Sequence, residues 1–366
     1  MNFNADDSRY MARAIQLARR GWFTTRTNPR VGCLLVKDNI VIGQGWHEKA
    51  GLPHAEINAI FDAHQQNHEV EGATAYVTLE PCSHHGKTPP CAEALVQAGV
   101  RKVICSMLDP NPKVSGRGVS ILEKANIEVQ SGLMESEARA LNSGFIKRMT
   151  TGLPRVVAKT AVSLDGRTAM ASGESQWITG PEARKQVQTL RAEAGAILTG
   201  SGTVLSDNPA MNVRDSRYLQ NQHFVQPLRV VIDSGQRVNP TAKILNLDGD
   251  CWLVNSRRST NDFPGNVRQK HVNTVKDRID LKALLTELGK EGINDVLVEA
   301  GGELLGGFLS SGLVDELVVF MAPKLMGSDA RAMAELPLVK MSEAMNLELR
   351  DVRQVGQDLK LTYRVD

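Results

Sequence analysis

Three potential zinc ligands, His54, Cys82 and Cys91, limit the folds open to this chain more than any other part of its sequence. A zinc ion in a catalytic site is held by three protein ligands, which leaves one tetrahedral position open for water. Glu56 lies two residues after the histidine, is not needed as a ligand, and can act as a general acid and base. The segments that carry these residues must therefore meet in the folded chain.

The sequence around each ligand predicts the element on which it lies. His54 opens a stretch with apolar residues at helical spacing, and Cys91 follows two prolines at a second helix start. Cys82 follows a strand-like run at 75–79. Two helix N-termini at one strand end favour a thiolate through their dipoles. A single cysteine is most often a small buried residue, but the set together favours zinc, without excluding iron.

The zinc deaminases carry the same arrangement, in which a His-x-Glu element is followed by Pro-Cys and a second cysteine. This chain departs from the commonest spacing, because eight residues separate Cys82 from Cys91 instead of two. The segment 83–90 is therefore an insertion between two ligands.

Length and charge narrow the class of protein. A chain of 366 residues predicts two domains, and 42% hydrophobic with 23% charged residues is typical of a soluble globular protein. The formal net charge is +2, from 43 basic and 41 acidic residues, which gives no global attraction to nucleic acid or to an anionic membrane.

Targeting signals and cysteine usage predict a cytoplasmic protein. Residues 1–20 form an amphipathic helical pattern and not a signal peptide, and no apolar run approaches the length of a membrane span. Of the five cysteines, the three outside the ligand set (Cys33, Cys105 and Cys251) lie in strand-like runs and are expected to be inert core residues. This usage fits a reducing compartment.

The first half of the chain predicts a three-layer α/β sandwich. After the opening helix, a hairpin at 31–36 and 40–43 is followed by alternating helices and strands. The expected elements are a helix from His54, a strand at 75–79, a helix from Cys91, a strand at 102–107, a helix at 116–125, a strand at 127–129 and a helix at 135–148. The segment 150–154 is the best candidate linker, so we expect domains at 1–149 and 153–366.

The second half predicts a mostly parallel sheet that is buried on both faces. Its strand candidates are near-continuous apolar runs, and helical patterns lie at 181–194 and 281–290. The expected strands are 155–160, 196–199, 228–233, 251–254, 295–299 and 316–321, followed by an antiparallel hairpin of 347–352 and 359–365 at the sheet edge.

Two glycine-rich turns follow strands of the second half, at 199–209 and 299–307. Glycines at such turns let backbone amides approach a phosphate. Neither turn has the G-x-G-x-x-G spacing of a Rossmann dinucleotide domain, and an ordinary tight α/β connection explains each turn equally well. These turns therefore suggest an anion-binding α/β domain and no particular reaction.

The whole chain resembles the bifunctional deaminase/reductase family of riboflavin biosynthesis. The resemblance covers both halves, and the eight-residue loop between the cysteines is its most specific marker. The matching segments are TNPRVG (27–32), HAE (54–56), PCSHHGKTPPC (81–91), DPNP (109–112), SLDGR (163–167), GESQWIT (173–179), the turn at 200–209 and VEAGG (298–302).

For the first half, the resemblance implies a cytidine-deaminase-like sandwich that hydrolytically deaminates a pyrimidine ribotide. Zinc would be held by His54, Cys82 and Cys91, while Glu56 would move protons between water and the departing amine. The pyrimidine and its ribose phosphate would be held by Asn28, His47, Lys87, Asp109 and Asn111.

For the second half, the resemblance implies a dihydrofolate-reductase-like domain that uses NADPH to reduce the ribosyl group to a ribityl chain. The residues expected at the cofactor are Ala161, Trp177, Thr203, Asp207, Ser234, Gly301, Gly302, Glu303, Leu304, Leu305, Gly306 and Gly307. Those expected at the substrate are Lys159, Ser175, Arg191, Arg214 and Glu299. Without the resemblance, Arg191 could equally be an exposed residue on a helix and Arg214 an exposed residue in a loop. Two arginines that converge on a phosphate, however, would be favoured electrostatically.

Other functions make different demands on the sequence. A nucleobase or nucleic-acid zinc deaminase with an accessory α/β domain would need a basic and aromatic channel for a strand, but only 4% of the residues are aromatic. A metal-stabilised binding module would close its zinc site with four ligands and would have no use for Glu56. We therefore expect a small-molecule substrate and no nucleic-acid or membrane partner. We also expect a homo-oligomer.

Overall fold

A computed structural model describes residues 3–84, 89–112, 114–257 and 259–365. The chain divides into two compact units, Met1–Gly152 and Leu153–Asp366, which are called the N-terminal and C-terminal units below. The division falls inside the segment 150–154 that the sequence suggests as a linker. A helix runs to Thr151, and Gly152 ends it with a φ of 76°, a conformation that glycine adopts at little cost.

In the described part of the N-terminal unit, five strands form one sheet in the order β2-β1-β3-β4-β5. Strand β1 is antiparallel to both β2 and β3, whereas β3, β4 and β5 are parallel. The predicted hairpin and the three predicted strands are thus confirmed. The strands are β1 (Gly32–Lys37), β2 (Ile40–Trp46), β3 (Thr74–Val77), β4 (Lys102–Cys105) and β5 (Glu128–Ser131).

Helices cover both faces of this sheet, which confirms the three-layer sandwich. Helix α1 packs on one face against Leu34, Tyr76 and Ile104, while α2, α3 and α4 pack on the other against residues such as Leu35 and Val77. The helices are α1 (Ala5–Ala18), α2 (Ala55–Gln65), α3 (Cys91–Gln97), α4 (Arg117–Lys124), α5 (Glu135–Leu141) and α6 (Ser143–Thr151).

The helix predicted at 135–148 is wrong in one respect, because it is broken into α5 and α6 at Asn142. The Asn142 side chain accepts a hydrogen bond from the Arg30 amide at 2.8 Å and donates one to the Arg30 carbonyl at 2.9 Å. An asparagine that bonds distant backbone in this way competes with the helical hydrogen bonds. The break therefore depends on a tertiary contact that local sequence does not contain.

The C-terminal unit contains a sheet of nine strands among its described residues, in the order β11-β10-β9-β8-β14-β6-β15-β18-β17. From β11 to β15 in this order, each strand is parallel to the next. The last two pairings, of β15 with β18 and of β18 with β17, are antiparallel. Their bounds are β6 (Arg155–Ser163), β8 (Ala196–Gly200), β9 (Leu228–Ile232), β10 (Cys251–Asn255), β11 (Val267–His271), β14 (Asp295–Glu299), β15 (Glu316–Ala322), β17 (Leu347–Val355) and β18 (Asp358–Val365). Two small pairs are β7 (Arg167–Ala169) with β16 (Arg331–Ala332), and β12 (Thr274–Val275) with β13 (Arg278–Ile279).

Both faces of this large sheet are buried, as the apolar runs predict. Val156, Leu198 and Val230 face one core with the long helices α10 and α11, and Val157 and Leu297 face another with α7. The helices are α7 (Pro181–Glu193), α8 (Ser201–Asp207), α9 (Ser216–Leu219), α10 (Leu281–Lys290) and α11 (Gly302–Ser310). The edge hairpin of β17 and β18 confirms the predicted C-terminal hairpin.

Strand β11 is absent from the sequence prediction because its residues, Val-Arg-Gln-Lys-His, are mostly polar and charged. It lies at the outer edge of the sheet, where charged side chains protect against pairing with other chains. The three extra cysteines behave as predicted, since Cys33, Cys105 and Cys251 are all buried and free. None of the helices in the described part of the chain has the length and apolar character that crossing a bilayer requires.

Candidate metal centre and cofactor cleft

The three potential metal ligands converge in the N-terminal unit. His54 is the N-cap residue of α2, Cys91 is the first residue of α3, and Cys82 lies in the loop after β3. The His54 Nδ1 atom is 3.5 Å from Cys82 Sγ and 3.3 Å from Cys91 Sγ. All three ligand atoms lie within 4.8 Å of one another.

These distances fit a tetrahedral zinc ion. Bond lengths of about 2.3 Å to sulfur and about 2.0–2.1 Å to nitrogen place neighbouring ligand atoms about 3.5–3.8 Å apart. The Cys91 amide at the start of α3 also donates a hydrogen bond of 3.2 Å to Cys82 Sγ. The Cys91 thiol, this amide and His54 lower the pKa of Cys82 to about 4, which favours the thiolate that a metal requires.

Glu56 lies in the first turn of α2, beside the ligands. Its side chain is 3% exposed and hydrogen-bonds with the Cys91 thiol. Burial, and then the charge of Cys82, raise the pKa of Glu56 to about 7 in the metal-free protein. A buried carboxyl group of this kind can both accept and donate a proton near neutral pH.

His47, which the resemblance implies at the substrate, forms hydrogen bonds within the protein through both ring nitrogens. Its Nδ1 lies 3.1 Å from the Pro53 carbonyl, which can only accept, so Nδ1 carries the proton. The Nε2 atom then accepts from Asn28 Nδ2 at 3.0 Å. Burial lowers the pKa of His47 to about 4, which keeps the ring neutral. Both ring nitrogens of His47 are therefore used within the protein, and the Asn28 amide has a fixed orientation.

Glu80, which the sequence reading did not single out, organises the loop that carries Asp109 and Asn111. Its buried carboxylate accepts hydrogen bonds of 2.9–3.3 Å from the backbone amides of Asp109, Gly116, Gly118 and Val119. The Asp109 side chain in turn accepts from the Asn111 amide at 2.8 Å.

Burial raises the pKa of Asp109, and the charge of Glu80 and then that of Cys82 add to this effect. The sequence contains one signal for the role of Glu80, which is its position two residues before the ligand Cys82 in the run Thr-Leu-Glu-Pro-Cys. Lys87, which is also expected at the substrate, lies outside the described residues.

A cleft of about 1580 Å³ opens at the carboxyl ends of the parallel strands in the C-terminal unit. Ligands of open α/β sheets bind at this edge. The cleft is lined by all five residues expected at the substrate, Lys159, Ser175, Arg191, Arg214 and Glu299. It is also lined by most of those expected at the cofactor: Ala161, Trp177, Thr203, Asp207, Ser234, Gly301, Gly302, Glu303, Leu304 and Gly307.

Two residues of the 301–307 turn do not reach the cleft. Leu305 is buried in the core at 1% exposure, and its amide donates to the Gly301 carbonyl. A Cβ on Gly306 would lie 2.1 Å from the Glu335 carbonyl oxygen, so this glycine faces protein backbone. The helical period turns these two positions away from the cleft, and their cofactor contacts stay a prediction.

A buried ion pair occupies the centre of the cleft floor. Arg191 donates to both oxygens of Glu299, at 2.6 and 3.0 Å, and Lys159 Nζ lies 3.8 Å from the same carboxylate. Burial raises the pKa of Glu299, but the charges of Arg191 and Lys159 outweigh it and hold that pKa below its ordinary value. Arg191 also donates to the Asn212 carbonyl, at 3.2 Å. Arg191 is thus committed to protein groups, whereas the Arg214 side chain is exposed.

The glycines of the two turns leave room for a ligand. A Cβ built on Gly202 or Gly301 would meet no atom within 4 Å, so open space faces the backbone at both turns. Ser175 Oγ donates to Asp207 Oδ1 at 3.2 Å, which joins a residue expected at the substrate to one expected at the cofactor. The cleft therefore fits an elongated anionic cofactor laid across several strand ends, beside a smaller substrate.

Comparison with protein families assigns both units. Residues 154–361 match the RibD C-terminal domain, and residues 4–107 match the cytidine and deoxycytidylate deaminase zinc-binding region. The riboflavin biosynthesis protein RibD of Escherichia coli strain K12 is 51% identical over 363 residues, covering 97% of this chain and 98% of that protein. The RibD protein of Haemophilus influenzae is 47% identical over 372 residues, and the match covers 99% of this chain and 98% of that protein.

Solved structures agree over the whole chain. Acinetobacter baumannii RibD, form 1, superposes with a TM-score of 0.91 at 46% identity and covers 99% of both chains. A diaminohydroxyphosphoribosylaminopyrimidine deaminase/5-amino-6-(5-phosphoribosylamino)uracil reductase from Thermotoga maritima superposes with a TM-score of 0.89 at 32% identity, again covering 99% of both chains. The likeness therefore includes both units in the same order.

Proposed function

The chain belongs to the RibD family, in which a zinc-dependent deaminase is joined to an NADPH-dependent reductase of riboflavin biosynthesis, and from this premise we propose which residues carry each reaction. The N-terminal unit has the cytidine-deaminase-like fold and the C-terminal unit the dihydrofolate-reductase-like fold. The observation that supports the assignment most directly is the convergence of His54, Cys82 and Cys91 beside the buried carboxyl group of Glu56.

In the deaminase unit, His54, Cys82 and Cys91 hold the zinc ion. Bound zinc supplies a Lewis acid that makes water nucleophilic at neutral pH. Glu56 would accept and release the proton that the departing amine needs, because it is the buried carboxyl group that adjoins the ligands. Because Glu56 is buried, the proton on its carboxyl group is shielded from exchange with bulk water.

The pyrimidine is held by side chains around the metal centre. Asn28 presents its Oδ1 atom to the ring, since its amide nitrogen is bonded to His47. His47 positions Asn28 through this hydrogen bond. Asp109 and Asn111 contact the substrate from the loop that Glu80 holds, and Lys87 contributes from the segment between the cysteines.

In the reductase unit, NADPH supplies the hydride that reduces the ribosyl carbon. Glu299 and Lys159 face the ribosyl group, and Arg191 fixes the Glu299 carboxylate by its bidentate contact. Arg214 binds the phosphate of the substrate, because its exposed guanidinium lines the cleft without the internal bonds that engage Arg191. Ser175 lines the same part of the cleft and completes the substrate side.

The remaining part of the cleft would hold the cofactor. Its contacts come from Ala161, Trp177, Thr203, Asp207 and Ser234, and from the part of the 301–307 turn that faces the open space, Gly301, Gly302, Glu303, Leu304 and Gly307. The open backbone at Gly301 supports a phosphate contact there.

The partner of this enzyme is a small molecule. We propose that it is the pyrimidine ribotide 2,5-diamino-6-ribosylamino-4(3H)-pyrimidinone 5′-phosphate, with no nucleic-acid partner and a cytoplasmic location. The near-neutral charge, with a formal net value of +2, supports a substrate smaller than a nucleic-acid strand.

We also propose a homo-oligomer that pairs along the edge strand β17. Leu349 and Val352 on this strand are 54% and 51% exposed, and a long edge strand with exposed apolar residues is prone to pair with another chain. Light scattering should show that Leu349→Lys lowers the mass of the particle, and an unchanged mass would refute this interface.

The function is tested by product mass with and without NADPH. Without NADPH, the ribotide should be converted to a deaminated product with release of ammonia, and adding NADPH should increase the mass by two hydrogens. Cys82→Ser should lower both zinc content and ammonia release, while Cys105→Ser, at a buried cysteine outside the metal centre, is the matched control. Full zinc occupancy in Cys82→Ser would remove Cys82 from the ligand set.

A further inference from the structure

The cations of the C-terminal cleft fall into groups according to their partners. Lys159 and Arg191 are engaged by Glu299, and Arg278 is paired with Glu303 at 3.0 Å. Arg237 and Lys243 are among the lining cations that form no ion pair with an acidic group in the described part of the chain. Unpaired cations that line a binding cleft favour an anionic ligand group.

The strand order places these two cations far from the site of reduction. Arg237 and Lys243 follow β9, whereas Glu299 ends β14 and Lys159 lies on β6. Since β9 is separated from β14 by β8, and neighbouring strands are about 4.8 Å apart, β9 lies roughly 10 Å from β14 and roughly 14 Å from β6. A cofactor whose nicotinamide lies at the substrate therefore has its adenosine end near β9.

Hydrogen bonds hold both cationic segments against α8. The Asp233 carboxylate accepts from the Arg237 amide at 3.0 Å and from the Val238 amide at 2.8 Å, which fixes the turn after β9. Arg237 donates to Ser201 Oγ at 2.9 Å, at the start of α8. The Lys243 amide donates to Asn208 Oδ1 at 2.8 Å, just after the end of α8.

The side-chain chemistry at this place suits a phosphate. Ser201 Oγ accepts from Arg237, so its own hydroxyl hydrogen is left to donate to a ligand. Arg237 keeps the other N–H groups of its guanidinium for the same ligand. The seven residues of α8 span about 10 Å. The Arg237 and Lys243 side chains start at opposite ends of this helix and are long enough to reach one phosphate between them.

We propose that Arg237 and Lys243, with the Ser201 hydroxyl, bind the 2′-phosphate of NADPH and thereby select it over NADH. The two cofactors differ only in this phosphate, so a site for it determines the preference. This inference rests on the proposed reductase cleft and adds to it the subsite that distinguishes the two cofactors.

Equilibrium titrations of the full-length protein with NADPH and with NADH, followed by fluorescence, test the proposal without turnover. Arg237→Gln should weaken NADPH binding by about 10- to 100-fold, since a hydrogen bond to a charged group contributes enough for this factor. Lys243→Gln should weaken it by roughly 5- to 10-fold, because a lysine provides a point charge without bidentate contact. NADH affinity should stay within about twofold in both variants, and Arg237→Lys should recover part of the NADPH affinity.

The matched control is Arg278→Gln, because Arg278 lines the same cleft but is paired with Glu303. It should change NADPH and NADH binding equally and by less than about twofold. Competition by 2′-AMP against 5′-AMP gives an independent readout, in which Arg237→Gln should abolish the preference of the wild-type protein for 2′-AMP.

Equal weakening of NADPH and NADH in Arg237→Gln would overturn the proposal, as would a loss of NADPH preference in Arg278→Gln instead. A wild-type protein that binds both cofactors equally would show that no 2′-phosphate site exists. A wild-type protein that binds neither cofactor would overturn the reductase cleft itself, which separates failure of the proposed function from failure of this subsite.

Discussion

The metal centre of the N-terminal unit and the cleft of the C-terminal unit are built on opposite plans. The metal centre brings three ligand atoms within 4.8 Å of one another, beside a carboxyl group that is 3% exposed. The cleft occupies about 1580 Å³ and draws its lining from the ends of several parallel strands. The first site depends on a few side chains at fixed positions, and the second on many weaker contacts spread over a sheet edge.

This difference determines which substitutions matter in each unit. The proposed reaction of the metal centre depends on the single carboxyl group of Glu56, so its loss should remove that reaction. The cleft instead contains a buried carboxylate that neutralises two cations, so its loss affects the folding of the unit as well as its chemistry. Five predictions test how far this comparison holds.

The largest effect is expected at Glu56. Glu56→Gln keeps the shape of the side chain and removes its proton-carrying capacity, so ammonia release should fall by ~10²–10⁴-fold while zinc content is retained. Reduction of the deaminated intermediate should be unchanged, because that reaction belongs to the other unit. Near-normal ammonia release would remove Glu56 from its assigned role, and zinc loss would show that the carboxyl group supports the metal instead.

Glu299→Ala should destabilise the C-terminal unit. The substitution leaves Arg191 and Lys159 buried without their anion, and breaking a buried ion pair on one side costs about 3–5 kcal/mol of unfolding free energy. Chemical denaturation would measure the change. Glu303→Ala is the matched control, since the Glu303–Arg278 pair is exposed (67% and 72%) and should contribute less than about 1 kcal/mol. Equal effects of the two substitutions would contradict the proposed central role of the buried pair.

The same carboxylate predicts a pH dependence with a definite sign. The folded-state pKa of Glu299 lies below its ordinary value of 4.5, so its contribution to stability is fully present above pH 4.5. This contribution is lost as the pH falls from 4.5 through the folded-state pKa, where the carboxylate gains a proton. The melting temperature should therefore fall less steeply below pH 4.5 in Glu299→Gln than in the wild-type protein. Parallel curves would contradict this linkage.

A smaller effect is expected at Glu80. Each of its oxygens accepts from two backbone amides, so Glu80→Gln would set an NH₂ group against two N–H donors. Leaving such buried donors without an acceptor costs about 1–3 kcal/mol, which should loosen the loop of Asp109 and Asn111 and raise KM for the pyrimidine by roughly tenfold. Zinc content should be unchanged, and its loss would show that Glu80 supports Cys82 and not the substrate loop.

The sequence predicted the metal centre more completely than the cleft, for a physical reason. Three ligands of one ion carry strong local signals, because each lies at a helix start or a strand end. Their convergence also follows from the chemistry of the ion. The parallel strands were equally predictable, since burial on both faces produces the apolar runs that mark them.

Features that depend on distant partners could not be predicted in this way. The bidentate contact between Arg191 and Glu299 joins residues on different elements, and neither neighbourhood shows it. The helix break at Asn142 depends on Arg30, and the fixed orientation of Asn28 depends on the Pro53 carbonyl through His47. Leu305 and Gly306 were assigned to the cofactor with their whole turn, although helical periodicity turns them inwards.

The smallest effect is expected when the two units are separated. Each unit has its own buried clusters, and in the C-terminal unit the core around Val156, Leu198 and Phe308 includes Leu153 at the boundary. A fragment of residues 153–366 should therefore fold alone and oxidise NADPH only when the deaminated intermediate is supplied. Its kcat/KM should lie within about threefold of the full-length value, because a tenfold change would require about 1.4 kcal/mol of lost interaction. NADPH consumption by matched amounts of fragment and full-length protein measures this directly, with Glu299→Ala in the fragment as the inactive control. A folded fragment that binds NADPH but turns over the intermediate tenfold more slowly would show that the N-terminal unit contributes to the reductase reaction.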